Sequence, residues 1–217
     1  MPYGDNDWLA LTQEPTLEPD LPICDPHHHF WDFRNERIPY QRYLLDELNN
    51  DVYSGHNVKS TVFIEARSMY KPNGPDEYKS VGEVEFVQGL AATSASGLYG
   101  PTRAAAAIIG YANLNLGENV RPVLEALISA SPNRLRGIRQ PCGWDSNQDM
   151  ESRAPKHQLS NSNFIKGAHI LANMGLSLDV TVYFHQLGEL AEFAKAFPSL
   201  LIILNHIGGL YRVGPYS

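Results

Sequence analysis

The sequence predicts an α/β fold, and three observations carry that expectation. Strand-like and helix-like segments alternate along the chain, six times over, which implies parallel strands joined by crossover helices. Polar residues gather at the ends of the strand-like segments, as they do on the rim of a (β/α)₈ TIM barrel. A doubly wound sheet would more often place a glycine-rich phosphate loop after its first strand, and the chain has none there. A barrel is therefore the expected architecture.

Residues 1–20 contain Pro15 and Pro19, which remove backbone donors, and are expected to be a loose leader ahead of a barrel domain over residues 21–217. "LPICDPHHHF" then reads as a short first strand, and the β-branched "VKSTVFIEA" as a second that ends in Glu65. Val84, Val87, Leu90 and Ala91 recur at helical spacing, so a helix follows. "AAAAIIGYANL", "LRGIRQ", "LSLDVTVYF" and "SLLIILNHIGG" are the third to sixth strands. Between them lie the helical stretches "NVRPVLEALISA", "NSNFIKGAHILANMG" and "QLGELAEFAKAF", the second closed by Gly175 at a C-cap position. A complete barrel takes about 250 residues and eight strands. Six strands in 217 residues therefore predict a barrel cut short after the sixth strand.

Composition narrows the function. A chain with 43% hydrophobic residues can bury a substantial core, and a formal net charge of −7 argues against a surface that holds phosphate backbones. No apolar run approaches the roughly 20 residues of a membrane span, and the N-terminus lacks the basic and apolar regions of a signal peptide. Two cysteines, Cys24 and Cys142, are too few to staple the chain, so a reducing cytoplasmic setting is expected and both thiols are read as core residues. A small-molecule substrate is the expected partner, with neither nucleic acid nor membrane; self-association into a homo-oligomer stays open.

The candidate chemistry sits at strand ends: His27 and His29, Glu65, Asn113, Arg139, His185 and His206. Side chains alternate along a strand, so His27 and His29 share a face while His28 points the other way. Two imidazoles about 7 Å apart along a strand can converge on one ion or one water. His185 and His206 follow apolar strands, where an imidazole without a partner would be costly to bury. Glu65 reads equally as a ligand, a base or a paired buried carboxylate. Arg139 can hold a carboxylate in two-pronged fashion, and Trp31 and Trp144 read as pocket walls or core aromatics. Cys142, near the end of the fourth strand, is a remote candidate for a nucleophile.

The segments "DPHHHFWD", "VFIEA", "RLRGIRQ" and "LSLDVTVYFHQLGELAEFAKAFPSLLIILNHIGG" resemble successive motifs of the amidohydrolase-related family. The likeness is to the branch of lactone hydrolases that act on sugar lactones and on dicarboxylated pyrone or muconolactone-type compounds. It spans residues 21–210 and implies a barrel hydrolase that opens a small lactone, carboxylated or not, with activated water. On that resemblance His27, His29, His185 and His206 are catalytic and Arg139 holds substrate; Trp31 and Glu65 are expected beside them in the substrate site. One Zn²⁺-like divalent ion would sit on His27, His29 and His185 if a metal is bound; it would acidify the attacking water and polarise the carbonyl. Metal-free general-base catalysis is the other expectation. The sequence departs from the family twice: no aspartate corresponds to the one expected after an eighth strand, and Asn205-His206 stands where Asp-His is usual. A decarboxylase or hydratase on the same barrel, or an inactive truncated fragment, are the alternative readings.

Overall fold

Six strands pair side by side, all parallel and in sequence order from β1 to β6. They are β1 (Pro22–His28), β2 (Asn57–Ile64), β3 (Arg103–Gly110), β4 (Leu135–Pro141), β5 (Ser177–Thr181) and β6 (Ile202–Leu204). The structure is a computed structural model that describes residues 6–33, 41–147, 149–210 and 214–216. The rings of His27 at the end of β1 and His206 just beyond β6 lie 4.9 Å apart. First and last strands can meet this closely only if the sheet curls, so the six strands form a partial barrel with a lumen.

Helices cover the outer face: α2 (Leu45–Val52), α3 (Val81–Ala95), α4 (Arg121–Ala130), α5 (Ser162–Asn173) and α6 (Leu187–Ala196) cross between successive strands. A five-residue helix, α1 (Asn6–Ala10), lies within the expected leader, whose following residues 11–21 form turns. Helix α2 was not expected from the sequence, although Leu45, Leu48 and Val52 carry its buried stripe at helical spacing. Among the described residues no α-helix follows β6, which runs into the turn Asn205–Gly208. Gly175 does close α5 in the left-handed conformation, at φ 70°.

Strand alternation sorts the sheet into two chemically different faces. Outward residues Phe63, Ile108, Ile138 and Leu178 are fully buried against Val84, Leu124, Leu127 and Phe164 of the helices. This continuous apolar layer is the core, and parallel strands covered by crossover helices are expected to bury such a face. Inward residues read differently along each strand. In the lumen, Val62, Ala107, Ile109 and Ile203 line an apolar cavity of about 440 Å³. Above it come polar inward residues: Arg139 on β4, Asp179 at the paired position on β5, and Asn205 beyond β6. Among the described residues, no helix is long and apolar enough to cross a membrane.

Candidate active site

The strand ends open into a cleft of about 700 Å³, walled by His29, Trp31, Glu65, Arg67, Arg139 and His206. A side chamber of about 260 Å³ continues from Arg139 and His206 past Thr181 and Tyr183. The main cleft is of a size to take a small ligand.

One half of the cleft is an ion pair. The Arg139 Nε donates to Glu65 Oε1 at 2.9 Å, and its Nη2 donates to the Glu65 carbonyl oxygen. The side chains are 11% and 3% exposed, so the pair is desolvated and both members depend on it. Glu65 is thus the paired buried carboxylate among its three expected roles. Arg139 keeps the donors on Nη1 for the cleft. Beside it, Asn205 Nδ2 donates to Asp179 Oδ2 at 3.0 Å. Burial raises the Asp179 carboxyl above its usual range, while Asn205 and Arg139 oppose the rise. That contact explains the departure at position 205: an aspartate there would set two carboxylates against each other in the lumen.

The other half is a cluster of imidazoles. The His27 ring lies 5.1 Å from that of His29, edge to face, and 4.9 Å from that of His206. His29 Nδ1 donates to the Ile64 carbonyl at 2.7 Å, because a carbonyl can only accept; this fixes the neutral tautomer with its lone pair on Nε2. The His27 Nε2 is buried without a hydrogen-bond partner. Desolvation lowers the His27 pKa to about 4, helped by His29, His206 and Arg139. Burial, then Arg139 and Arg153, lowers that of His206 as well. His206 also begins a left-handed run, with φ of 51° at His206, 55° at Ile207, 76° at Gly208 and 60° at Gly209. Two of the four are not glycine, and backbone held in this region is a recurrent mark of functional sites. At Gly209 a Cβ would stand 2.5 Å from the Val182 carbonyl, so the motif needs its second glycine for close approach as well.

His28 faces away, as alternation requires. Its Nε2 lies 2.8 Å from Thr61 Oγ1, which also accepts the Ala105 amide, and its ring packs on Phe30 and Phe63. Trp31 is a cleft wall, tilted over His29 at 6.1 Å and over Tyr43 at 5.8 Å. Asn113 caps the turn after β3, accepting from the Asn115 amide, and Lys156 lies 5.1 Å over the Trp144 ring. Cys142 is fully buried and burial pushes its thiol well up, which removes it as a nucleophile.

His185 departs from expectation. Its Nε2 is 2.8 Å from Asp145 Oδ2, which also accepts from the Tyr216 hydroxyl at 3.0 Å, and its ring packs against Phe184 and Tyr216. The Asn147 amide, then His185 and Tyr216, hold the Asp145 carboxyl below its usual range. The expected ligand set of His27, His29 and His185 is therefore not assembled. The imidazole that does join His27 and His29 is His206. Among the described residues no group of three or more His, Cys, Asp or Glu side chains is arranged to hold a metal ion. The donor set gives the reason: the nearby carboxylate, Glu65, is committed to Arg139, whose cation lies close enough to depress His27 and His206. A dication in that place would meet a guanidinium, with Glu65 tied to Arg139 and Asp179 to Asn205, so these residues do not fit the expected Zn²⁺-like ion.

No family model matches the chain. Solved structures of amidohydrolases superpose on it. Two crystal structures of an amidohydrolase from Burkholderia multivorans, one with bound HEPES and one with bound zinc, align with TM-scores of 0.59 and 0.60 at 22% identity. They cover 85% and 86% of this chain, which spans 57% and 58% of theirs. Amidohydrolase 2 from Bifidobacterium longum subsp. infantis aligns with a TM-score of 0.55 at 17% identity, over 90% of this chain and 66% of its own. The fold is the one these amidohydrolases share. In sequence, the chain is 27% identical over 208 residues to an uncharacterized protein, y4mH, of Sinorhizobium fredii (strain NBRC 101917 / NGR234). That alignment covers 87% of this chain and 63% of the relative, so the chain spans about three fifths of the length of this relative and of the Burkholderia amidohydrolase.

Glu83, Asp179 and Asp145 escaped the sequence reading. Asp179 had a signal, a lone carboxylate in an otherwise apolar strand. Glu83 had one too, a charge within the apolar first turn of a helix. Asp145 lies in a loop, where an acidic residue carries no such contrast.

Proposed function

We propose that the chain is a hydrolase of the amidohydrolase type that opens a small lactone by attack of activated water. One observation carries the reading: the His29 and His206 imidazoles line the cleft together with the Arg139 guanidinium, and the His27 ring, held neutral by burial as that of His206 is, packs against both imidazoles. His29 is the general base. Its Nδ1–H is held by the Ile64 carbonyl, which aims the Nε2 lone pair and stabilises the ring as it gains the proton. His27 and His206 resist protonation and hold the water by hydrogen bonds. Water adds to the lactone carbonyl as its proton passes to His29; the ring C–O bond then breaks and the proton returns to the departing alkoxide, giving a hydroxy acid. Arg139 steadies the carbonyl oxygen as charge develops on it. Arg67 lines the cleft with no carboxylate paired to it among the described residues, which supports a substrate that itself carries a carboxylate.

No step here passes through a metal, since the donor set does not suit one. The test is a panel of neutral and carboxylated lactones, with ring opening followed by acid release and carbon dioxide by trapping. Ring opening without carbon dioxide, faster on carboxylated members, is the expected result. Carbon dioxide release without ring opening would move the chain to the decarboxylase reading.

A further inference from the structure

Glu83 is the third residue of α3, fully buried, and far from any role in the chemistry above. Its Oε1 accepts from the Ala66 amide at 2.9 Å and from the Ser68 amide at 2.8 Å. The Ser68 hydroxyl donates to the Phe30 carbonyl at 2.7 Å, and it lies 3.2 Å from the same carboxylate oxygen. These contacts gather three segments that carry the cleft. Ala66 directly follows Glu65, the holder of Arg139; Phe30 directly follows His29; and Arg67, between the two bound amides, projects into the cleft.

The loop that the carboxylate grips is strained. Arg67 and Met69 adopt φ of 57° and 51°, each an unfavourable left-handed conformation for a residue with a side chain. Helix α3 is pressed against the same loop: a Cβ on Gly82 would meet the Met69 carbonyl oxygen at 2.6 Å and the Lys71 amide at 2.9 Å. A charged group that accepts two main-chain amides is among the stronger hydrogen-bonded anchors, and it stands where the strain has to be held.

We infer that Glu83 is the positioning residue of the cleft, a buried carboxylate whose grip on Ala66 and Ser68 sets the loop that presents Glu65 and Arg67 and, through Ser68, ties down Phe30 just beyond β1. The groups that face it are Glu65 at the end of β2 and Tyr70 in the same loop, with Arg67 and Tyr111 next to Tyr70. Burial, then the Glu65 charge, raises its pKa to about 7 against the pull of the two amides. The grip thus tightens as Glu83 ionises near neutrality. The ionised form is also the one that burial disfavours. With the folded pKa above the unfolded value of 4.5, the stability contributed by Glu83 is full below about pH 4.5 and is lost as pH rises through about 7.

The test follows the amide resonances of Ala66 and Ser68 in the whole chain from about pH 5 to about pH 9, beside Glu83→Gln. In the wild type both amides should move downfield together with a single midpoint near neutrality; in Glu83→Gln both should stay flat. The kcat of Glu83→Gln for lactone opening should fall by roughly tenfold to a hundredfold while KM changes little, since a misplaced site loses turnover more than binding. Wild-type amides that fail to titrate together would overturn the inference even if the variant did not fold. So would a Glu83→Gln variant with unchanged turnover. The turnover arm rests on the hydrolase reading, and the amide arm does not. If the wild type opens no lactone yet the amides titrate as described, the function is wrong and the positioning role stands.

Discussion

The two halves of the cleft differ in how they handle charge. Glu65 and Arg139 answer each other through side-chain and main-chain bonds in a desolvated pair. Across from them, His27 leaves a buried nitrogen without a partner, and its ring, like that of His206, is held neutral. Glu65 Oε2 is likewise buried without a partner, but the two charges of the pair answer each other, and the pair serves first to fix geometry. The imidazole half leaves the His27 nitrogen for a ligand and serves to react. A buried polar group without a partner carries a penalty of roughly 1–3 kcal/mol, and a fold tolerates it where water or substrate will complete the bond.

That contrast predicts which changes harm catalysis and which harm the fold. The largest effect belongs to the imidazole half. Removing the general base in His29→Ala should lower lactone turnover by about 10²–10⁴-fold, with little change in the midpoint of thermal melting. The ion-pair half should show the reverse emphasis. Arg139→Ala strands Glu65 as a buried charge and should cost about 3–5 kcal/mol of stability in denaturant titrations. Replacing both members by apolar residues of similar volume should recover most of that loss, and failure to recover would mean that the pair does more than answer its own burial.

A smaller effect appears on acidification. His27 and His28 titrate near 4 in the folded chain against 6.5 when unfolded. The unfolded chain therefore binds more protons between those values, so stability should fall as pH drops from about 6.5 towards about 4. His28→Leu should flatten that fall without touching turnover, because His28 packs outward on Phe63. The smallest effect belongs to His185. Its imidazole is engaged by Asp145 outside the cluster, so His185→Ala should change kcat by less than about tenfold. A loss as large as that of His29→Ala would return His185 to the reacting half.

Much of the architecture could be read from periodicity, because parallel strands covered by helices leave a strong alternating signature. Arg103–Gly110 and Ser162–Asn173 fall close to where the spacing puts them. Helix α2 was missed because Leu45, Leu48 and Val52 are set among Asp46, Glu47 and two asparagines, which dilute its stripe. In the site, alternation separated His27 and His29 from His28. Partners set by the curl of the sheet were beyond its reach: the pairing of Glu65 with Arg139 spans 74 residues, and the capture of His185 by Asp145 spans 40. Asn205 looked like a flaw in a motif until Asp179 appeared opposite it.

The most direct test of the central claim is the lactone-opening rate of the double variant His27→Ala, His29→Ala, measured beside its thermal melt. A rate reduced to background with a cooperative melt retained is the predicted result. A rate equal to that of the wild type would place the chemistry elsewhere in the molecule and contradict the account.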